Sequence, residues 1–211
     1  MGTLSGAALS SLKKAFMRDS REAVLRAKTQ KGAPAGYGLP ASISVAALLD
    51  DKQSDQRFRW LIRGLLTVTR RLELARDCFG RQINVTGPQY NLLMTVAELQ
   101  GAAGVSVGSV AQAMHVSSSF VTAETGKLSE VGLLRKQTNP SDRRGALLKL
   151  TPLARTKINR LLSEIRAVND LFFGLLTAES FAALCAGAEA LVKGSREAMG
   201  YIARIEEKSD N

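Results

Sequence analysis

The chain has 211 residues, 45% of them hydrophobic, and its 29 Lys and Arg against 19 Asp and Glu give a net charge of +10. That length suits one domain, or one domain with an appendage, and the composition excludes wholesale disorder. Two cysteines, Cys78 and Cys185, exclude a disulfide-dense scaffold, and a single histidine excludes a zinc site built from several histidines in one chain.

The charge is uneven. Residues 1–155 hold 22 basic and 11 acidic side chains, whereas residues 156–211 hold 7 and 8. A basic body attracts polyanions, nucleic acid foremost, although solubility alone is also a sufficient reason for it. No apolar run approaches the roughly 20 residues needed to span a bilayer, so no membrane partner is expected. The first 18 residues carry Lys13, Lys14 and Arg18 with no acid, but these follow the apolar stretch instead of preceding it, unlike a secretory signal. A cytoplasmic location is the expectation.

Residues 1–50 read as an extension. A short helix is expected within 4–31, followed by a breaker-rich linker over 32–41. Ser54 then looks like an N-cap, and Phe58, Leu61, Ile62, Leu65, Val68, Leu72, Ala75 and Phe79 recur at three- and four-residue steps. This predicts a long helix over about 54–79, ended by Gly80. Arg59, Arg63 and Arg70 share another of its faces. Thr86-Gly87-Pro88 opens a second helix, with Leu92, Leu93, Val96 and Leu99 as its apolar stripe. A third is expected over about 107–114, and a fourth, capped by Ser117 and stopped by Gly132, over about 118–130.

The period then shortens to two. Residues 133–138 and 146–151 read as two short strands, joined by a turn over 139–145 whose tip carries Arg143 and Arg144. Past Thr151-Pro152 the helical period returns through Ile158, Leu161, Leu162, Ile165, Val168, Phe172, Leu175 and Leu176. Thr177 caps a last helix bearing Phe181, Leu184, Cys185, Ala188, Leu191, Val192, Met199 and Ile202.

Short helix, tight turn, helix and two-stranded hairpin make up the winged helix-turn-helix plan, in which the second helix of the motif enters the major groove. Ser117, Ser118, Ser119, Phe120 and Thr122 open that helix. Free amides and small hydroxyls there suit a phosphate or a base edge. Lys127 follows near the face of Phe120, and Arg143 and Arg144 stand where a wing meets the minor groove. Each feature alone has an ordinary explanation as a cap, a turn or a solvated charge; their order is the specific signal.

The stretch Ser109-Val110-Ala111-Gln112-Ala113-Met114-His115-Val116-Ser117-Ser118-Ser119-Phe120-Val121-Thr122, with Lys127-Leu128 and Gly132-Leu133-Leu134 after it, resembles the DNA-binding core of the MarR family. Residues 139–151 resemble that family's wing, with its Asp-x-Arg feature at Asp142 and Arg144, Asp142 orienting the wing. The resemblance covers about residues 54–205. It implies a mainly α fold: a winged helix-turn-helix with a two-stranded wing and a helical dimerisation region. The corresponding division is 1–50 extension and 51–211 MarR-like domain, with the winged motif at about 86–152 and dimerisation helices at about 54–79 and 153–205.

In function the resemblance implies a homodimeric, ligand-responsive regulator, expected here as a repressor on a pseudo-palindromic operator in double-stranded DNA. The alternative is a protein-interaction or architectural DNA-binding module without a small-molecule effector. The chain departs from the family in two places. Ala123, Glu124, Thr125 and Gly126 stand where relatives often carry an Arg, and residues 1–50 have no counterpart.

The resemblance also implies an effector, a small aromatic carboxylate or phenol. Arg59, Trp60 and Arg63 are the candidate ligand residues, against the plainer reading of solvated arginines and a packed tryptophan. Cys78 is read as a packed thiol sooner than a redox sensor, Cys185 as core, and His115 as a surface or capping residue. Ser10-x-x-Lys13, Ser11-x-x-Lys14 and Ser209-Asp210-Asn211 match fragments of a serine–lysine hydrolase signature, but lie at opposite ends of the chain without its Lys-Thr-Gly element. No phosphate loop or dinucleotide fingerprint occurs. The expectation is no enzyme, no cofactor and no metal.

Overall fold

The computed structural model describes residues 40–50, 54–139 and 142–209, without the side chains of residues 142–144. The helix expected within 4–31 and most of the 32–41 linker lie outside the described residues. The chain divides into two compact units after Leu162.

In the first unit, the segment before the long helix closes on itself. Asp50 accepts the Ser54 amide on Oδ1 at 2.8 Å, and the Asp50 amide donates to the Ser54 carbonyl at 2.9 Å. Helix α1 then spans Gln56–Gln82. The N-cap is Asp55 and not Ser54, although the Ser54 hydroxyl, one residue earlier, accepts the Gln56 amide at 3.2 Å. The helix does not end at Gly80 as its sequence suggests. Asn84 takes the left-handed conformation at φ 62°, and the amides of Asn84 and Val85 bond the carbonyls of Arg81 and Gly80 at 3.2 and 2.9 Å, a Schellman ending. Gly80 is instead a point of close approach: a Cβ there would lie 2.7 Å from the Val85 carbonyl oxygen.

Helix α2 (Gly87–Leu99) opens with a full capping box between Thr86 and Gln89, with Pro88 in its first turn. Leu92, Leu93 and Val96 are completely buried. Leu99 is not; it is 40% exposed, and Gln100 takes the inward place, its Oε1 accepting the Leu150 amide at 2.9 Å.

Strand β1 (Val105–Ser106) comes next, then α3 (Val107–Met114), capped by Ser106, and α4 (Ser118–Glu130), capped by Ser117. Strands β2 (Leu134–Asn139) and β3 (Asp142–Leu150) follow. The sheet has three antiparallel strands in the order β1-β3-β2, not two. The edge strand is only two residues long, too short to alternate visibly, and it exists because Val105 and Ser106 pair with Leu148 and Leu147. Strand β3 also begins earlier than expected. Thr138 pairs with Ala146 and Asn139 with Asp142, with an irregularity between them, so residues 143–145 are carried in a bulge. Arg143 and Arg144 therefore lie along β3 and not within a turn.

Leu92, Leu93, Val96, Val110, Val121, Leu128 and Leu148 close the core at 0% exposure. Helix α5 (Pro152–Phe173) contributes Ala154, Ile158 and Leu161 to burial. Thr151 caps it, accepting the Ala154 amide at 3.2 Å and donating to the Gly132 carbonyl at 2.7 Å.

The second unit holds the end of α5, a turn at Gly174, and α6 (Ala178–Ser209), whose first turn is capped by Thr177 accepting the Ser180 amide at 3.2 Å. Leu175 and Leu176 fall outside both helices. None of the 32 residues of α6 is buried. Cys185 is therefore exposed, and Cys78 on α1 is exposed too, contrary to the packed sites expected for both.

Candidate nucleic-acid interface

The turn between α3 and α4 is fixed by backbone bonds. His115 adopts φ 54°, and the amides of His115 and Val116 bond the carbonyls of Gln112 and Ala111 at 3.3 and 3.1 Å. Val110 and Ala111 on α3 and Val121, Thr125 and Leu128 on α4 turn inward. Thr125 is a buried polar residue whose hydroxyl is satisfied by the Thr122 carbonyl at 3.1 Å.

This inward row decides which side of α4 faces out. Ser118, Ser119, Thr122, Ala123 and Lys127 are exposed, and Phe120 and Gly126 are half-buried. Ser117 accepts the Phe120 amide at 3.1 Å and shares a hydrogen bond with the Ser119 hydroxyl at 2.9 Å. Thr122 donates to the Ser118 carbonyl at 2.8 Å. The amides of Ser118 and Ser119 have no partner available within the helix, being in its first turn. The side chains expected to contact DNA from α4 are thus brought together on one surface: a positive helix end, a cluster of hydroxyls and a lysine two turns on. Ala123 and Gly126 also lie there, small enough to let the backbone come close.

The side chains of Asp142, Arg143 and Arg144 lie outside the described residues; only their backbone course in β3 is given. Beside them, Arg135 and Lys136 are exposed on β2, two cations not singled out in the sequence because a strand so short shows no clear alternation. Lys149 is tied down by a bond to the Ala102 carbonyl.

On α1, the candidate ligand residues differ in their freedom. Arg59 is held by Asp55, its Nε donating to Oδ1 at 2.8 Å, and by the Pro40 carbonyl at 2.7 Å. Asp55 is buried and also accepts the amide and hydroxyl of Ser42 at 2.7 and 2.5 Å. Arg59 and the two Ser42 bonds hold its carboxyl well below the usual carboxylate range. Trp60 is 63% exposed, not packed, and Arg63 is exposed on the Arg59 side of the helix. The pair Gln89 and Glu124, unremarked in the sequence, links α2 to α4 at 2.9 Å.

A three-helix core in which α4 follows a tight turn and is flanked by an antiparallel wing defines a winged helix-turn-helix protein. The sequence profile of the MarR family matches residues 83–145. Over that segment, which holds α2, α3, α4 and the start of the wing, the chain is similar to the MarR family. Among solved structures it is similar to AbsC, a MarR family transcriptional regulator from Streptomyces coelicolor, with 22% identity, TM-score 0.58, and 71% of this chain and 97% of the other covered. It is also similar to MepR of S. aureus in a DNA complex, with 16% identity, TM-score 0.55, and 65% and 96% covered. A third is a mutant MarR from E. coli complexed with operator DNA, with 21% identity, TM-score 0.52, and 64% and 92% covered. No curated protein matches the chain. Among the described residues, no single helix is long and apolar enough to cross a membrane.

Proposed function

We propose that the chain is a ligand-responsive repressor that binds a pseudo-palindromic operator as a homodimer. The observation that carries this is the outward surface of α4, where Ser117, Ser118, Ser119, Phe120, Thr122 and Lys127 surround a helix N-terminus. In this reading each subunit lays α4 in a major groove while Arg143 and Arg144, oriented by Asp142, take the adjacent minor groove. Two-fold symmetry then sets half-sites about 10 base pairs apart. Residues 51–211 form the regulator and residues 1–50 an accessory extension. The MepR and MarR complexes cited above were solved with DNA, which supports the reading.

The effector in this reading is a small aromatic carboxylate or phenol that meets Trp60 and Arg63. Arg59 is already engaged by Asp55, so it joins only by giving up that pair. The ligand relieves repression by preferring a lobe spacing that misfits the operator.

The test is footprinting of the purified protein on its own promoter region against unrelated DNA of equal length. A protected palindrome that unrelated DNA competes poorly is the expected result, and salicylate then serves as the first effector probe on that complex. Equal binding to both fragments would replace the specific repressor with an architectural role.

A further inference from the structure

Glu124 contributes no DNA contact to the interface above. It lies on α4 with its side chain 14% exposed, bonded across to α2. Its oxygens have different partners. Oε2 accepts from Gln89 Nε2 at 2.9 Å, and Oε1 accepts from Lys127 Nζ at 2.6 Å. Gln89 is fixed in turn, its Oε1 accepting the Thr86 amide at 3.1 Å and its own amide donating to the Thr86 hydroxyl at 3.4 Å. One continuous hydrogen-bonded path therefore runs from the capping box of α2 to the ammonium group of Lys127.

Both oxygens are used by donors, which is the arrangement that keeps a carboxylate charged. The lysine is 62% exposed, and so remains open to a competing anion from outside.

We propose that Glu124 is a positioning residue of the DNA interface: bolted to Gln89, it holds Lys127 in an ion pair in the free protein and surrenders it to a phosphate on binding. The inference rests on the reading that α4 faces DNA. Its consequence is a lower general affinity. A phosphate contact normally releases counterions and adds about 0.9 to the slope of log K against log salt. A lysine that must leave a carboxylate, which then stays near the phosphate, adds less. Glu124 thus reduces binding to every sequence alike, so base contacts decide more of the outcome.

The experiment measures salt dependence on a random-sequence duplex of about 30 base pairs, three helical turns, because the effect is independent of sequence. Glu124→Gln removes the charge and keeps an acceptor for Gln89. It is expected to steepen the slope by up to about one unit, which is an additional loss of up to about fourfold between 50 and 200 mM salt. Glu124→Asp, which keeps the charge but withdraws it by one methylene, gives a smaller step in the same direction and serves if the first variant fails to fold. Lys127→Ala flattens the slope, and adding Glu124→Gln to it restores no steepness. If Glu124→Gln and Glu124→Asp both leave the slope unchanged while Lys127→Ala flattens it, the role of Glu124 is overturned and the interface stands. If Lys127→Ala also leaves the slope unchanged, Lys127 meets no phosphate, and this proposal falls along with that part of the interface.

Discussion

Two glycines six residues apart on and after α4 are under opposite constraints. Gly126 lies within the helix, and a Cβ there would meet nothing within 4 Å. A glycine in a helix costs about 1 kcal/mol relative to alanine. Gly126→Ala is therefore expected to raise stability by about 1 kcal/mol. Gly132 also has open space around it, but its φ is +72°. Its amide bonds the Ser129 carbonyl at 3.0 Å while Leu133 bonds Leu128 at 2.9 Å, closing α4 by the same device that ends α1 and α3. An L side chain in that conformation costs about 1–2 kcal/mol, so Gly132→Ala lowers stability by about that amount. Urea titration of the two variants checks both signs. A decrease for the first would mean that the outward face of α4 is already covered within the protein.

At the scale of elements, the start of α1 is held by a device that spans several segments. Asp55 joins Ser42, Arg59 and, through Arg59, the Pro40 carbonyl. The depressed pKa of Asp55 sets the direction of its pH dependence. Its contribution is complete above the ordinary carboxylate range, near pH 4, and is lost as pH falls through the lower folded value. The Ser42 amide, bonded to Asp55, is expected to resist hydrogen exchange at neutral pH in the native chain and to lose that protection in Asp55→Asn. Equal exchange in the two proteins at neutral pH would show that the strap does not depend on Asp55.

This device was not visible in the sequence, because nothing local relates Ser42 to Asp55. The motif at the centre was legible for the opposite reason: Thr86, Ser117 and Gly132 each act within one turn of their own position, and the start of α2 and both bounds of α4 follow from them. Strand β1 needed partners 41 and 43 residues away to exist, and the bulge that places Arg143 and Arg144 along β3 is a matter of register, which composition does not record. Gly80 was misread because an internal glycine looks the same whether it ends a helix or admits a neighbouring backbone.

For the molecule as a whole, the question is what covers α6. A helix of 32 residues is about 48 Å long, and its Phe181, Leu184, Leu191, Val192, Met199 and Ile202, all exposed, follow three- and four-residue steps. An apolar stripe of that length has the size and pattern of a partner surface, and Cys185, read as core, lies on it exposed. A second copy of the chain is the partner expected from the homodimer reading. Sedimentation should then give twice 22.6 kDa, and Phe181→Glu combined with Leu191→Glu should give the single-chain mass while leaving the first unit folded. The same variant carries the argument to DNA. A dimer that makes about 6–10 phosphate contacts loses roughly 10³–10⁵ in affinity between 50 and 200 mM salt. If each subunit supplies half of those contacts, the monomeric variant keeps about half the logarithmic slope on random-sequence DNA. A full slope in a protein of single-chain mass would mean that one subunit makes all the contacts, and the symmetric operator would lose its basis.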